Sequence, residues 1–256
     1  MARLLSMAAV RAFTDALNLL DASVRAKLEA RLLAIDFTDP DAAASEAVKV
    51  MEAFCRGATD AAAALAAEFY DMARADVYEG PYTFAAQAVS ARVPEATRQA
   101  VQGIVRGTAA PSAIVDKLVQ RLGYEVRRAA GDCVLANGRR DRASPRYARV
   151  PTGPETCPFC LMLASRGFVY TSKLAAGELD HYHANCDCRV VPSWGGSEVS
   201  GYDPTAYYDK WQAAVDEEAE RMAERDGTTE REAYDAIMAR YRKSADKANK
   251  RRRRQN

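Results

Sequence analysis

Four of the six cysteines and both histidines of this chain fall between Cys157 and Cys188. They read Cys157-Pro158-Phe159-Cys160, then His181-Tyr182-His183-Ala184-Asn185-Cys186-Asp187-Cys188. A C-x-x-C pair followed by a second Cys/His group has the spacing of a structural zinc site. Two thiolates three apart on a tight turn fill two corners of a tetrahedron, and a second turn must fill the others. Six candidate ligands compete for four corners. Cys157 and Cys160 are the firmest pair. His183 and Cys186 are three apart, which suits one turn face. Cys186 and Cys188 are two apart and share a face only in an extended strand. The favoured set is Cys157, Cys160, His183 and Cys186, with Cys188 as the alternative. His181 is expected outside the ligand set.

Three other chemistries compete for these residues. A disulfide is the plainest. A redox dithiol needs a strand before the first cysteine and a helix opening at it, whereas Pro151-Thr152-Gly153-Pro154-Glu155-Thr156 reads as turn-rich. A catalytic zinc needs an open position and a base. Glu155 or Asp187 could serve as that base, but the ligands suffice to close the site.

The elements that must position the cluster follow from composition and periodicity. The chain of 256 residues has room for one large domain or two smaller ones. With 36 basic and 35 acidic residues, overall charge names no partner. Met1-Ala2-Arg3-Leu4-Leu5 opens an amphipathic pattern without the apolar core of an export signal. No run has the apolar length to span a bilayer, so no membrane is expected. Clustered Cys and His without an export signal favour metal over disulfides. Cys55 and Cys133 lie on apolar helix faces and read as inert buried thiols.

Residues 1–136 read as a helical domain. Val24, Leu28, Leu32 and Ile35 form one stripe, with Asp21 or Ser23 as N-cap. Val48, Met51 and Cys55 form a second, which Gly57 would end. Leu65, Phe69 and Met72 continue on a helix opened near Thr59. Glu79-Gly80-Pro81 breaks the pattern. Pro94 and Pro111 can each sit in the first turn of a helix. The first carries Val101, Ile104 and Val105; the second carries Val115, Leu118, Leu122, Val126, Ala130 and Cys133. Asn137-Gly138 punctuates the chain, and residues 137–149 read as a basic linker containing Arg139, Arg140, Arg142, Arg146 and Arg149. That linker is either a solvated connection or a contact for nucleic acid or an acidic partner.

Residues 150–196 read as a small α+β module, with Phe168-Val169-Tyr170 and Arg189-Val190-Val191 as short strands and a short helix capped by Ser172. It is too small for a good core of its own, and a structural metal is the usual remedy. Residues 204–256 read as a C-terminal helical segment, interrupted at Gly227-Thr228-Thr229, that ends in a basic tail. Between Arg240 and Arg254 stand nine basic residues (Arg240, Arg242, Lys243, Lys247, Lys250, Arg251, Arg252, Arg253 and Arg254) and one acid, Asp246. A like-charge block of this kind suits a polyanion. The fold class expected is therefore mainly α: a helical N-terminal domain, a zinc-stapled α+β module, and a long helical segment with a basic tail.

The central segment resembles the phage Mu-type minor head, or head morphogenesis, proteins in the version found in tailed phages and prophages of actinobacteria. The matching residues are Cys157-Pro158-Phe159-Cys160, Leu163-Ala164-Ser165-Arg166-Gly167 with Val169-Tyr170-Thr171, and His183-Ala184-Asn185-Cys186-Asp187-Cys188 before Val190-Val191-Pro192. The resemblance implies a virion component inside the capsid near the portal vertex, present in the host cytoplasm during assembly. Its implied partners are the portal protein, a capsid or scaffolding protein, and packaged double-stranded DNA bound without sequence preference. It carries the Cys/His positions over as a presumed metal site. No enzymatic activity is expected. The alternatives are a metal-dependent nuclease and a free-standing zinc nucleic-acid-binding protein.

Overall fold

Helical propensity outweighs local punctuation through the first half of the chain. In the computed structural model, which describes residues 5–75, 77–80, 82, 93–105, 110–153, 156–171, 187–195 and 199–241, helix α1 spans Met7–Leu33 and α2 spans Pro40–Ala75. Helix α1 starts well before the expected Asp21 or Ser23 cap. Ser6 is the N-cap and accepts from the Ala9 N–H at 3.2 Å. Asp21 instead lies buried in mid-helix, paired with Arg25 at 2.8 Å and with Arg127 at 2.8 Å. Gly57 does not end the second helix, and no new helix opens near Thr59. One glycine costs a helix about 1 kcal/mol relative to alanine, and the alanine-rich run beyond it supplies the best helix former repeatedly.

Helix α3 spans Val93–Val105 and α4 spans Pro111–Arg140, each with proline in its first turn as expected. Helix α4 does not stop at Asn137-Gly138. The Asn137 side chain folds back onto the Cys133 carbonyl at 3.0 Å, and Gly138 leaves room for a neighbour. A Cβ at Gly138 would lie 1.6 Å from the Tyr147 hydroxyl. Residues 137–149, read from the sequence as a linker, are thus the last turn of α4, a tight loop and most of strand β1 (Arg146–Pro151).

Strand β1 pairs antiparallel with β2 (Cys188–Ser193). The Arg189-Val190-Val191 strand is present, whereas Phe168-Val169-Tyr170 is reduced to a single bridge between Tyr170 and Tyr147. Both faces of the hairpin are buried. One face carries Tyr147, Arg149 and Cys188; the other carries Ala148, Val150, Arg189 and Val191. Arg189 reaches Asn18 of α1 at 3.4 Å, so the second face lies on the bundle. Short helix α5 (Pro158–Ala164) covers the first. One continuous core runs from α1, α2 and α4 through both strands to Tyr202.

Helix α6 (Pro204–Asp226) ends on Gly227, which adopts φ 64°. Thr229 and Glu232 then form a reciprocal capping box for α7, residues 230–241. These two helices build a second apolar cluster, with Trp211, Val215, Ala233 and Ile237, that packs on Leu161 of α5. The mainly α fold is as the sequence implied. No helix among the described residues is long and apolar enough to cross a membrane. The expected helix after Ser172 lies outside the described residues.

Candidate metal centre

Cys157 is the N-cap of α5 and Cys160 lies in its first turn. The pair therefore sits at a helix start, not on a free turn, and part of the argument against a redox dithiol loses its footing. What the structure brings closest to Cys160 is Cys188, the first residue of β2. The two sulfurs are 2.7 Å apart, and both residues are buried. Cys157, three residues before Cys160, is half-buried. His181, His183 and Cys186 lie outside the described residues, as does Glu155. Among the described residues no group of three or more His, Cys, Asp or Glu side chains converges to hold a metal.

Sequence reasoning missed Arg149. This residue is wholly buried, and its guanidinium stands 3.0 Å from the Cys188 sulfur and 3.9 Å from the Cys160 sulfur. A buried cation is tolerated where anionic or strongly accepting groups face it. The signal was available: one arginine within the apolar run Tyr147-Ala148-Arg149-Val150. It was obscured because the whole basic stretch read as a linker, either solvated or in contact with a partner.

Asp187, a candidate base, has a structural task. Its carboxylate accepts from the Gly153 N–H at 3.1 Å and the Thr156 hydroxyl at 2.8 Å. Its carbonyl accepts from the Thr152 hydroxyl at 2.6 Å. It ties the loop before α5 to the start of β2, and so holds Cys157 and Cys188 in one neighbourhood.

A second polar centre lies behind the hairpin, and it too was missed. The Asp141 carboxylate accepts from Tyr70 at 3.0 Å, Arg74 at 2.9 Å, Trp194 at 3.2 Å and the Ala143 N–H at 3.0 Å. Burial works to raise its pKa, yet the hydrogen bonds from Ala143, Arg74 and Tyr70 and the Arg74 charge win, and the carboxyl is held below the usual range. Cys55 and Cys133 are buried as expected, and burial pushes the Cys55 thiol up to about 12. Of the tail residues, Arg240 is on α7 and pairs with Glu218 at 3.1 Å. Arg242, Lys243, Lys247, Lys250, Arg251, Arg252, Arg253 and Arg254 lie outside the described residues.

A helical bundle clasping a cysteine-bearing hairpin is the setting in which the comparisons with known proteins fall. The chain belongs to the VG15 protein family, whose description it matches over residues 5–214, spanning the bundle, the hairpin and part of α6. The relatives are phage-encoded. The chain is 29% identical over 153 residues to the Gene 15 protein of Mycobacterium phage L5, covering 44% of this chain and 52% of the relative. It is 32% identical over 114 residues to the Gene 15 protein of Mycobacterium phage D29, covering 32% of this chain and 41% of the relative. The chain thus spans about half the length, or less, of these two relatives. No solved structure matches it.

Proposed function

We propose that this chain is a non-enzymatic minor component of a phage head. In this reading it sits inside the capsid near the portal vertex, bears on the portal or a scaffolding protein, and touches packaged DNA. The observation that carries the reading is membership of a phage-encoded family across both the bundle and the cysteine hairpin. The buried hairpin supports an assembly role, since its polar groups brace one element against another. Asp187, the acid nearest the cysteines in sequence, is engaged in such bracing, which does not recommend it as a general base.

The same reading gives the cysteine cluster a structural zinc. Cys157, Cys160 and Cys188 would supply sulfur ligands, with His183 and Cys186 as the remaining candidates. Zinc would cross-link α5 to β2 without redox chemistry of its own. Arg149 supports the choice, because metal-bound thiolates carry the negative charge that a buried guanidinium requires and neutral thiols do not.

Co-expression with the portal protein of the same phage tests the assembly role. The expected result is co-elution with portal assemblies and presence at low copy in purified virions. Absence from virions, with no portal association, would refute it.

A further inference from the structure

The stretch that reads as a basic linker is a rigid surface, and its arginines differ from those in the body of α4. Arg121, Arg127 and Arg128 are neutralised by Glu125, Asp21 and Asp132. Arg139, Arg142 and Arg146 are exposed, and none of the ion pairs among the described residues includes them. Their backbone is held in place. The Asp141 carboxylate accepts from the Ala143 N–H at 3.0 Å, and its carbonyl accepts from the Ser144 N–H at 3.0 Å. Tyr147 is seated over Gly138.

Arg139 and Arg146 line one cavity of about 440 Å³. Its exposed lining residues, Arg139, Ser144, Arg146 and Thr171, are all polar. Ser144 and Arg146 also line a second cavity of about 740 Å³, where Ser193 and Thr205 add hydroxyls, so the two adjoin as one groove. Of the acids nearby, Asp141 is turned inward onto Arg74. Asp203 lies at the far end, capping α6. The carbonyl end of α4 contributes roughly half a negative charge, against three guanidiniums.

We propose that this groove and the loop at its edge bind the sugar-phosphate backbone of duplex DNA, with Arg139 and Arg146 in the groove and exposed Arg142, on the loop between them, as the phosphate contacts. Guanidiniums and hydroxyls suit phosphate oxygens. Protein hot spots centre on apolar or aromatic anchors in desolvated pockets, and the arginine end exposes none. The groove rests on the DNA-contacting reading above and gives it a second site besides the tail.

The test uses the full chain, fluorescence anisotropy against a short duplex, and a salt series. Each phosphate contact contributes a slope of about −0.9 in log K against log salt. The R139Q/R142Q/R146Q variant should therefore be shallower than the unaltered chain by about 2.7. A variant with Arg251–Arg254 changed to glutamine should keep the groove's share. An unchanged slope in the groove variant would overturn this proposal and leave the DNA-contacting reading to the tail. No duplex binding by the unaltered chain at low salt would sink both. Poly-glutamate binding as tightly as duplex at equal salt would assign the surface to an acidic protein and overturn the proposal. Since Arg139, Arg142 and Arg146 are exposed, thermal melting should show the groove variant folded.

Discussion

Serine in place of Cys160 should abolish binding of the proposed zinc and loosen the paired strands β1 and β2. The Cys160 sulfur lies 2.7 Å from that of Cys188, and these two residues are the point at which α5 meets β2. A serine hydroxyl is a poor zinc ligand, and metal affinity in a small site is folding energy. Structural zinc is worth about 10–16 kcal/mol in isolated finger peptides. Even a fraction of that rivals the roughly 5–15 kcal/mol stability of a whole domain. The bundle should survive, because α1, α2 and α4 bury apolar faces against one another. Hydrogen exchange should therefore show lost protection over the hairpin and retained protection in α2 and α4. Full zinc content and full hairpin protection in Cys160→Ser would count against the cluster as a metal site. The Cys188→Ser variant should behave alike, since its sulfur shares the same contact.

The Asp141→Ala variant should lose about 3–5 kcal/mol, the usual result of removing one partner from a buried charge pair. Arg74 is left with a part-buried, unneutralised guanidinium, and Tyr70 and Trp194 lose an acceptor. Asp141→Asn should lose less, since it keeps an acceptor for some of these donors. The pH dependence has a definite sign. The folded carboxyl lies below the usual range, so its stabilisation is fully present above the unfolded value of about 3.9. It is lost as pH falls through the lower folded value. Urea melts at neutral and acid pH would check this: the gap between the native chain and Asp141→Ala should close in acid. A gap that stays constant with pH would show that charge is not what holds the node.

What was legible in the sequence was local. The α4 stripe of Val115, Leu118, Leu122, Val126 and Cys133 follows from spacing alone. Two glycines misled, since Gly57 and Gly138 each read as a stop. Glycine ends a helix only where neighbouring residues let it. Alanines carry α2 through Gly57, and Gly138 is present because Tyr147 lies over it. Asp21 read as an N-cap and Arg149 as part of a basic linker, and Asp141 drew no reading, because nothing local shows a partner far along the chain. Asp141 meets Tyr70 and Trp194, and Asp21 meets Arg127. The cysteine cluster was visible as composition, but the closeness of Cys160 to Cys188 depends on the pairing of β1 with β2, which one-dimensional spacing does not reveal.

The central claim is that the cysteines form a closed, sulfur-rich zinc site that pins the hairpin. Zinc K-edge absorption on the full chain, purified in metal-replete, reducing conditions, tests it most directly. The account predicts one zinc per chain, four-coordinate, with sulfur at about 2.3 Å and at most one nitrogen at about 2.0 Å. Zinc-free protein whose hairpin is nonetheless fully protected, or a disulfide between Cys160 and Cys188 under those conditions, would contradict it.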